Sequence, residues 1–151
     1  LSNLGSVLET RFDRLGDLDD LESAIVVMRK AIDLTPDGRF DKPKYLGNLG
    51  SVLKSRFDCL GELDDLESTI VVMRKADILT PDDHPDKPWH LSNLGSVLKT
   101  RFDHLGGLDD LESAIVVMRK ADDLTPDGHP DKPTRLHNLR NVLGIRSSHS
   151  S

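Results

Sequence analysis

Apolar residues along this chain recur at spacings of three and four, broken by glycine and proline, and the whole pattern returns every 45 residues. Leu1-Ser2-Asn3-Leu4-Gly5 reappears as Leu46-Gly47-Asn48-Leu49-Gly50, as Leu91-Ser92-Asn93-Leu94-Gly95 and as Leu136-His137-Asn138-Leu139-Arg140. Of the 45 residues in the first unit, 37 recur in the third, so one local structure is expected several times over. In the first unit Leu1, Leu4, Leu8, Phe12 and Leu15 fall on one stripe of a helix, and Gly16 stands where a left-handed residue ends it. In the second and third units this helix is expected to begin near Pro43 and Pro88, because proline suits a first helical turn.

A second helix follows in each unit. Asp19 as N-cap and Glu22 three residues on imitate a capping box, and Leu21, Ala24, Ile25, Met28 and Ala31 keep helical spacing. Val26, Val27 and Leu34 widen the arc, as for a helix touched on more than one side. Arg29 and Lys30 suit the negative end of the macrodipole, and Thr35-Pro36-Asp37-Gly38 stops the helix. Each unit therefore reads as a helical hairpin too small to bury its own apolar face. No period-two alternation predicts a strand. The connection between units carries two prolines in the first unit and three in each of the others, and is expected to be ordered by its own stiffness. The expectation is an all-α solenoid: hairpin repeats over 1–45, 46–90 and 91–135, a capping helix over 136–146 and a disordered tail over 147–151, seven helices in all.

Composition narrows the partners. Charged residues make up 30% of the chain with the signs mixed and a net charge of −6, which predicts no nucleic acid, since that calls for a basic stripe. No apolar run approaches the roughly 20 residues that span a bilayer, so no membrane partner is expected. Cys59 is the only cysteine, which excludes an intrachain disulfide and points to a reducing compartment, the cytoplasm. The chain starts at Leu1 inside a first helix and reads as a fragment, with a homo-oligomer through the uncapped end as one consequence.

Catalytic chemistry is not expected. Cys59 stands where the other units have Arg14 and His104, with no activating base nearby. The histidines lack the paired spacing of a zinc site, and no glycine-rich phosphate loop follows a strand. The expectation is a protein that is not an enzyme, with no catalytic residue, metal or cofactor.

The residues Leu4-Gly5, Ala24, Met28, Ala31 and Pro36 resemble the tetratricopeptide repeat in an enlarged form. Thr69 departs from the small residue of that pattern. Gly5 to Ala24 is roughly seven residues longer than in the common 34-residue form, and the loop roughly four longer. The wording Leu-Gly-Asp-Leu-Asp-Asp-Leu-Glu is similar to fungal arrays that accompany a caspase-like CHAT domain or nucleotide-binding signalling domains. That resemblance implies a right-handed solenoid and a non-catalytic scaffold or sensor arm binding a peptide or protein segment on a concave face. The Asn-Leu-Gly start also resembles kinesin-light-chain repeats, whose asparagine contacts an extended peptide, which implicates Asn48, Asn93, Asn138 and Asn3.

On a wheel of about 100° per residue, Asn3, Ser6, Thr10 and Asp13 gather opposite the packing stripe. Asn48, Asn93, Asn138, Ser51 and Ser96 would then form a ladder of short donors and acceptors, or merely a wet helix face. The units differ on the same side, at Glu9/Lys54/Lys99, Arg14/Cys59/His104, Ser2/Gly47/Ser92/His137 and Lys44/Trp89/Thr134. Lys54, Lys99 and Trp89 join the candidate site on that ground. Drift at exposed positions explains the same differences, and Trp89 could equally pack on its proline loop. Arg11, Arg56, Arg101 and Arg146 border the stripe and are expected to form structural ion pairs with the acids that open the second helix. Self-assembly through homotypic or head-to-tail contacts is the alternative to peptide holding.

Overall fold

The computed structural model describes residues 18–150, with side chains through His149. Six helices occupy them: α1 (Leu18–Asp33), α2 (Lys42–Leu60), α3 (Leu63–Ile78), α4 (Lys87–Leu105), α5 (Leu108–Asp123) and α6 (Lys132–Ser150). No strand occurs among the described residues. The seventh expected helix, with Asn3, Arg11 and Gly16, lies outside them. The chain divides into two compact units, residues 1–79 and 80–151.

In the first unit, Leu21, Ile25 and Met28 of α1 meet Leu46, Leu49 and Leu53 of α2, and Ala76 of α3 joins the cluster beside Val72 and Leu79. In the second unit, Phe102, Leu111, Ile115, Met118, Leu139 and Val142 form the equivalent core across α4, α5 and α6. Each fully buried leucine of this kind contributes about 2 kcal/mol. The predicted stripes are buried at Leu21, Ala24, Ile25, Met28 and Ala31 and at Leu46, Leu49, Leu53 and Phe57. Val26 and Leu34, expected to widen the arc, are exposed, as are Leu60 and Leu105 at the stripe's last position, because no described helix covers that side.

Each of the two described hairpins turns in two residues. Gly61 (φ 69°) and Gly106 (φ 73°) take the left-handed conformation, and their amides donate to the Phe57 and Phe102 carbonyls at 2.7 Å. The next residue, Glu62 or Gly107, is extended and caps the following helix, with no side-chain cap bond. This corrects the capping-box expectation. In all three second helices both aspartates lie inside the first turn, Asp19 among them, where they favour the positive end of the helix dipole.

The paired helices close on a second glycine. A Cβ at Gly50 would lie 2.9 Å from Met73 Cγ and Cε, and one at Gly95 would lie 2.6 Å from Met118 Cγ. Only a residue without a side chain admits methionine at this range.

Charge then ties the helices in register. Arg56 Nη2 donates to Asp65 Oδ1 at 2.6 Å, within its own hairpin, and Nη1 donates to Glu22 Oε2 of α1 at 2.7 Å. The hydrogen bond to Asp65, and then that to Glu22, raises the affinity of this guanidinium for its proton. In the second unit Arg101 pairs with Asp110 at 2.7 Å, and Arg146 reaches Glu112 of α5 at 3.2 Å. The expected structural ion pairs are therefore present for these three arginines.

The connection between repeats is held by more than proline stiffness. Lys42 is buried, and its Nζ donates to the Ile32 and Thr35 carbonyls at 2.8 and 2.6 Å, plugging the C-terminal end of α1. Lys132 does the same at the end of α5, donating to the Asp122 carbonyl at 2.7 Å. Asp37 sits 3.3 Å from Lys42 and 3.4 Å from Lys75 of α3. Asp82 sits 3.0 Å from Lys120 of α5 and 3.7 Å from Lys87.

The last helix also departs from expectation, running from Lys132 to Ser150 through the segment read as capping helix and disordered tail. Ser148 Oγ donates to the Gly144 carbonyl at 3.2 Å, and the His149 ring stands edge-on to Phe102 with centroids 5.6 Å apart. A ring contact with a core phenylalanine gives this end of the helix something to pack on.

Two outcomes follow. Gly95→Val should destabilise by about 1–3 kcal/mol through overpacking, and Met118→Ala in the same chain should recover part of the loss in thermal unfolding. The Asp37 carboxyl is held below its usual range first by Lys42 and then by Lys75, and Asp82 first by Lys120 and then by Lys87. A folded value below the unfolded one of about 3.9 means that this stabilisation is complete above about pH 4 and is lost as pH falls through the folded value. Asp37→Asn with Asp82→Asn should lower Tm modestly at about pH 7 and leave it near that of the parent at about pH 2.

Candidate functional site

α2, α4 and α6 begin at the same Asp-Lys-Pro sequence, so each carries equivalent residues at equivalent positions along its own length. On α2, Asn48 is half-buried, Ser51 exposed and Lys54 half-buried, all turned away from buried Leu46, Leu49 and Leu53. Ser51 Oγ donates back to the Gly47 carbonyl at 3.3 Å. On α4 and α6, Asn93 and Asn138 are again half-buried and Ser96 is exposed. Asn3 lies outside the described residues.

The lysines are engaged. Lys54 pairs with Asp58 at 2.8 Å and Lys99 with Asp103 at 2.9 Å, each one turn along its own helix. Exposed pairs at this spacing are worth about 0.3–0.5 kcal/mol, so either ammonium group can turn to a ligand at small cost.

In the second unit three predicted residues come together. Ser96 and Lys99 of α4 and Asn138 of α6 line a hollow of about 260 Å³, together with Met118 of α5 and His137 and Asn141 of α6. Met118 is buried and forms the floor; it is the methionine that rests on Gly95. Hydroxyl, ammonium, imidazole and two amides surround it, and none of the six is a carboxylate, in a chain with 26 acidic residues. Such a lining donates more hydrogen bonds than it accepts.

Asn93 and Trp89 do not line this hollow. Trp89 is 38% exposed, and its indole stands edge-on to the ring of buried His90, with centroids 4.9 Å apart and planes at 64°. It is a partly covered aromatic on the helix that supplies Ser96 and Lys99. His137 and Asn141 complete the site and were outside the predicted set. Their signal was in the sequence: at these positions the fourth copy replaces Ser92 by His137 and Ser96 by Asn141, where the other copies carry short residues.

Cys59 is exposed on α2. Among the described residues, no group of three or more histidine, cysteine, aspartate or glutamate side chains is placed to hold a metal ion. No described helix is long and apolar enough to cross a membrane.

Compared with models of known families and with curated proteins, the chain matches none. The resemblance to tetratricopeptide repeats rests on the residues quoted for it, and an all-helical, repeat-like arrangement is compatible with it.

Proposed function

We propose that this chain is a non-catalytic protein–protein interaction module, an enlarged tetratricopeptide-like right-handed solenoid that holds a peptide or protein segment along the polar faces of its first helices. The observation that carries the reading is the convergence of Ser96, Lys99 and Asn138, singled out from the repeat pattern, on one hollow between two successive first helices. An asparagine amide donates to a peptide carbonyl and accepts from a peptide N–H, so a row of such groups suits an extended backbone. Lys54 and Lys99 extend the face, and Trp89 supplies an aromatic anchor beside it. The chain works as a scaffold or sensor arm in a reducing compartment such as the cytoplasm, without cofactor or metal.

A second reading, homotypic association, is favoured by one observation in the first unit: Phe40, Ile78 and Leu34 are 85%, 77% and 71% exposed.

Light scattering across a wide concentration range, followed by selection from a displayed peptide library, separates the two. Under the first reading the mass stays that of one chain, and selected peptides lose about tenfold in affinity against Ser96→Ala with Asn138→Ala. Mass that climbs with concentration while no peptide is enriched would put self-association in its place.

A further inference from the structure

We propose that the hollow between α4 and α6 is an oxyanion subsite for a phosphoryl group carried on a serine or threonine of the bound segment; the inference rests on the peptide-holding reading above. Residues whose side chains carry donors line the hollow from two helices, Ser96 and Lys99 from α4 and His137, Asn138 and Asn141 from α6. None of the lining residues is an acid, and the Asp103 carboxylate, 2.9 Å from Lys99 Nζ, is the group with which an entering anion competes for that ammonium.

The departures of α6 from the repeat sharpen the point. Position 137 is glycine or serine in the copies before it, and position 141 is serine. Both changes lengthen the side chain and add N–H donors, and both fall on the rim of this hollow. The group that fits is one that accepts from several directions at once. A phosphomonoester offers three strong acceptor oxygens in a pyramid, whereas a carboxylate offers two in a plane. Five donor-bearing side chains from two helices match the first better. Lys99 supplies the countercharge by leaving its exposed partner Asp103. Met118 below presents a thioether and methyl group, against which the methylene of phosphoserine or the methyl of phosphothreonine rests.

The test is an NMR titration of the full chain, following the side-chain amide signals of Asn138 and Asn141. The titrants are a capped heptapeptide of glycine and alanine with one central phosphoserine, its serine and glutamate counterparts, and inorganic phosphate alone. The phosphopeptide should move both signals at about one tenth of the concentration the other peptides need, the advantage expected of a charge-assisted site. Lys99→Met with His137→Ala should abolish that advantage, while Cys59→Ser, at an exposed position of α2, should leave it. Equal response to the serine peptide overturns the inference and leaves peptide holding intact. Equal response to the glutamate peptide overturns the preference for phosphate, and equal response to inorganic phosphate overturns the peptide-borne source. Absence of response to every titrant also overturns the inference; the peptide-holding reading is judged separately by the library selection.

Discussion

A methionine side chain lying on bare glycine backbone is the contact on which both described hairpins depend. Met73 against Gly50 and Met118 against Gly95 set how near the second helix comes to the first. At that separation the leucines of both helices reach a common core, and neighbouring apolar groups gain the dispersion contacts that a wider gap would forfeit. The same contact shapes the candidate site, because Met118 is buried on one side by Gly95 and floors the hollow on the other. Fold and site thus share an atom-level constraint, and the polar groups above Met118 stand where the hairpin puts them.

The ion pairs act on this framework as register pins. Arg56 is satisfied by a carboxylate of its own hairpin and by one of the helix before it, so its position is fixed from two directions. Lys42 ends a helix by donating to the Thr35 carbonyl and to the Ile32 carbonyl, which also accepts from the Thr35 amide. Net stability from such groups is modest after desolvation, but directional hydrogen bonds to charged groups discriminate sharply against a shifted register.

Much of this was legible in the chain, because the features that repeat are local. Helical spacing of Leu46, Leu49 and Leu53, the left-handed glycines represented by Gly61, and the arginines bordering the stripe all follow from rules that act within a few residues. Three features were not legible for the opposite reason. The N-caps fell on Glu62 and Gly107 because a two-residue turn leaves no room for the aspartates to lie outside the helix. The Lys42 plug depends on a contact ten residues back along the chain, and Asp-Lys-Pro reads locally as no more than a helix start. His149 packs on Phe102 across nearly fifty residues, and a serine- and histidine-rich ending gives no local sign of it. The hollow lies between: Ser96, Lys99 and Asn138 follow from periodicity, whereas His137 and Asn141 stand out only as breaks in it.

The ties between successive repeats also bear on how such a chain changes length. Arg56 reaches back to Glu22 and Arg146 back to Glu112, while Asp37 reaches forward to Lys75 and Asp82 forward to Lys120. The two backward ties each span 34 residues and the two forward ties each join residues a fixed distance apart as well, so one residue gained or lost in a loop would pull both kinds out of step. A whole unit gained or lost preserves every tie, and near-identical copies of a gene segment are the substrate on which recombination makes that change. An array of this kind is expected to vary among descendants in repeat number, in steps of one complete hairpin, with loop length held constant.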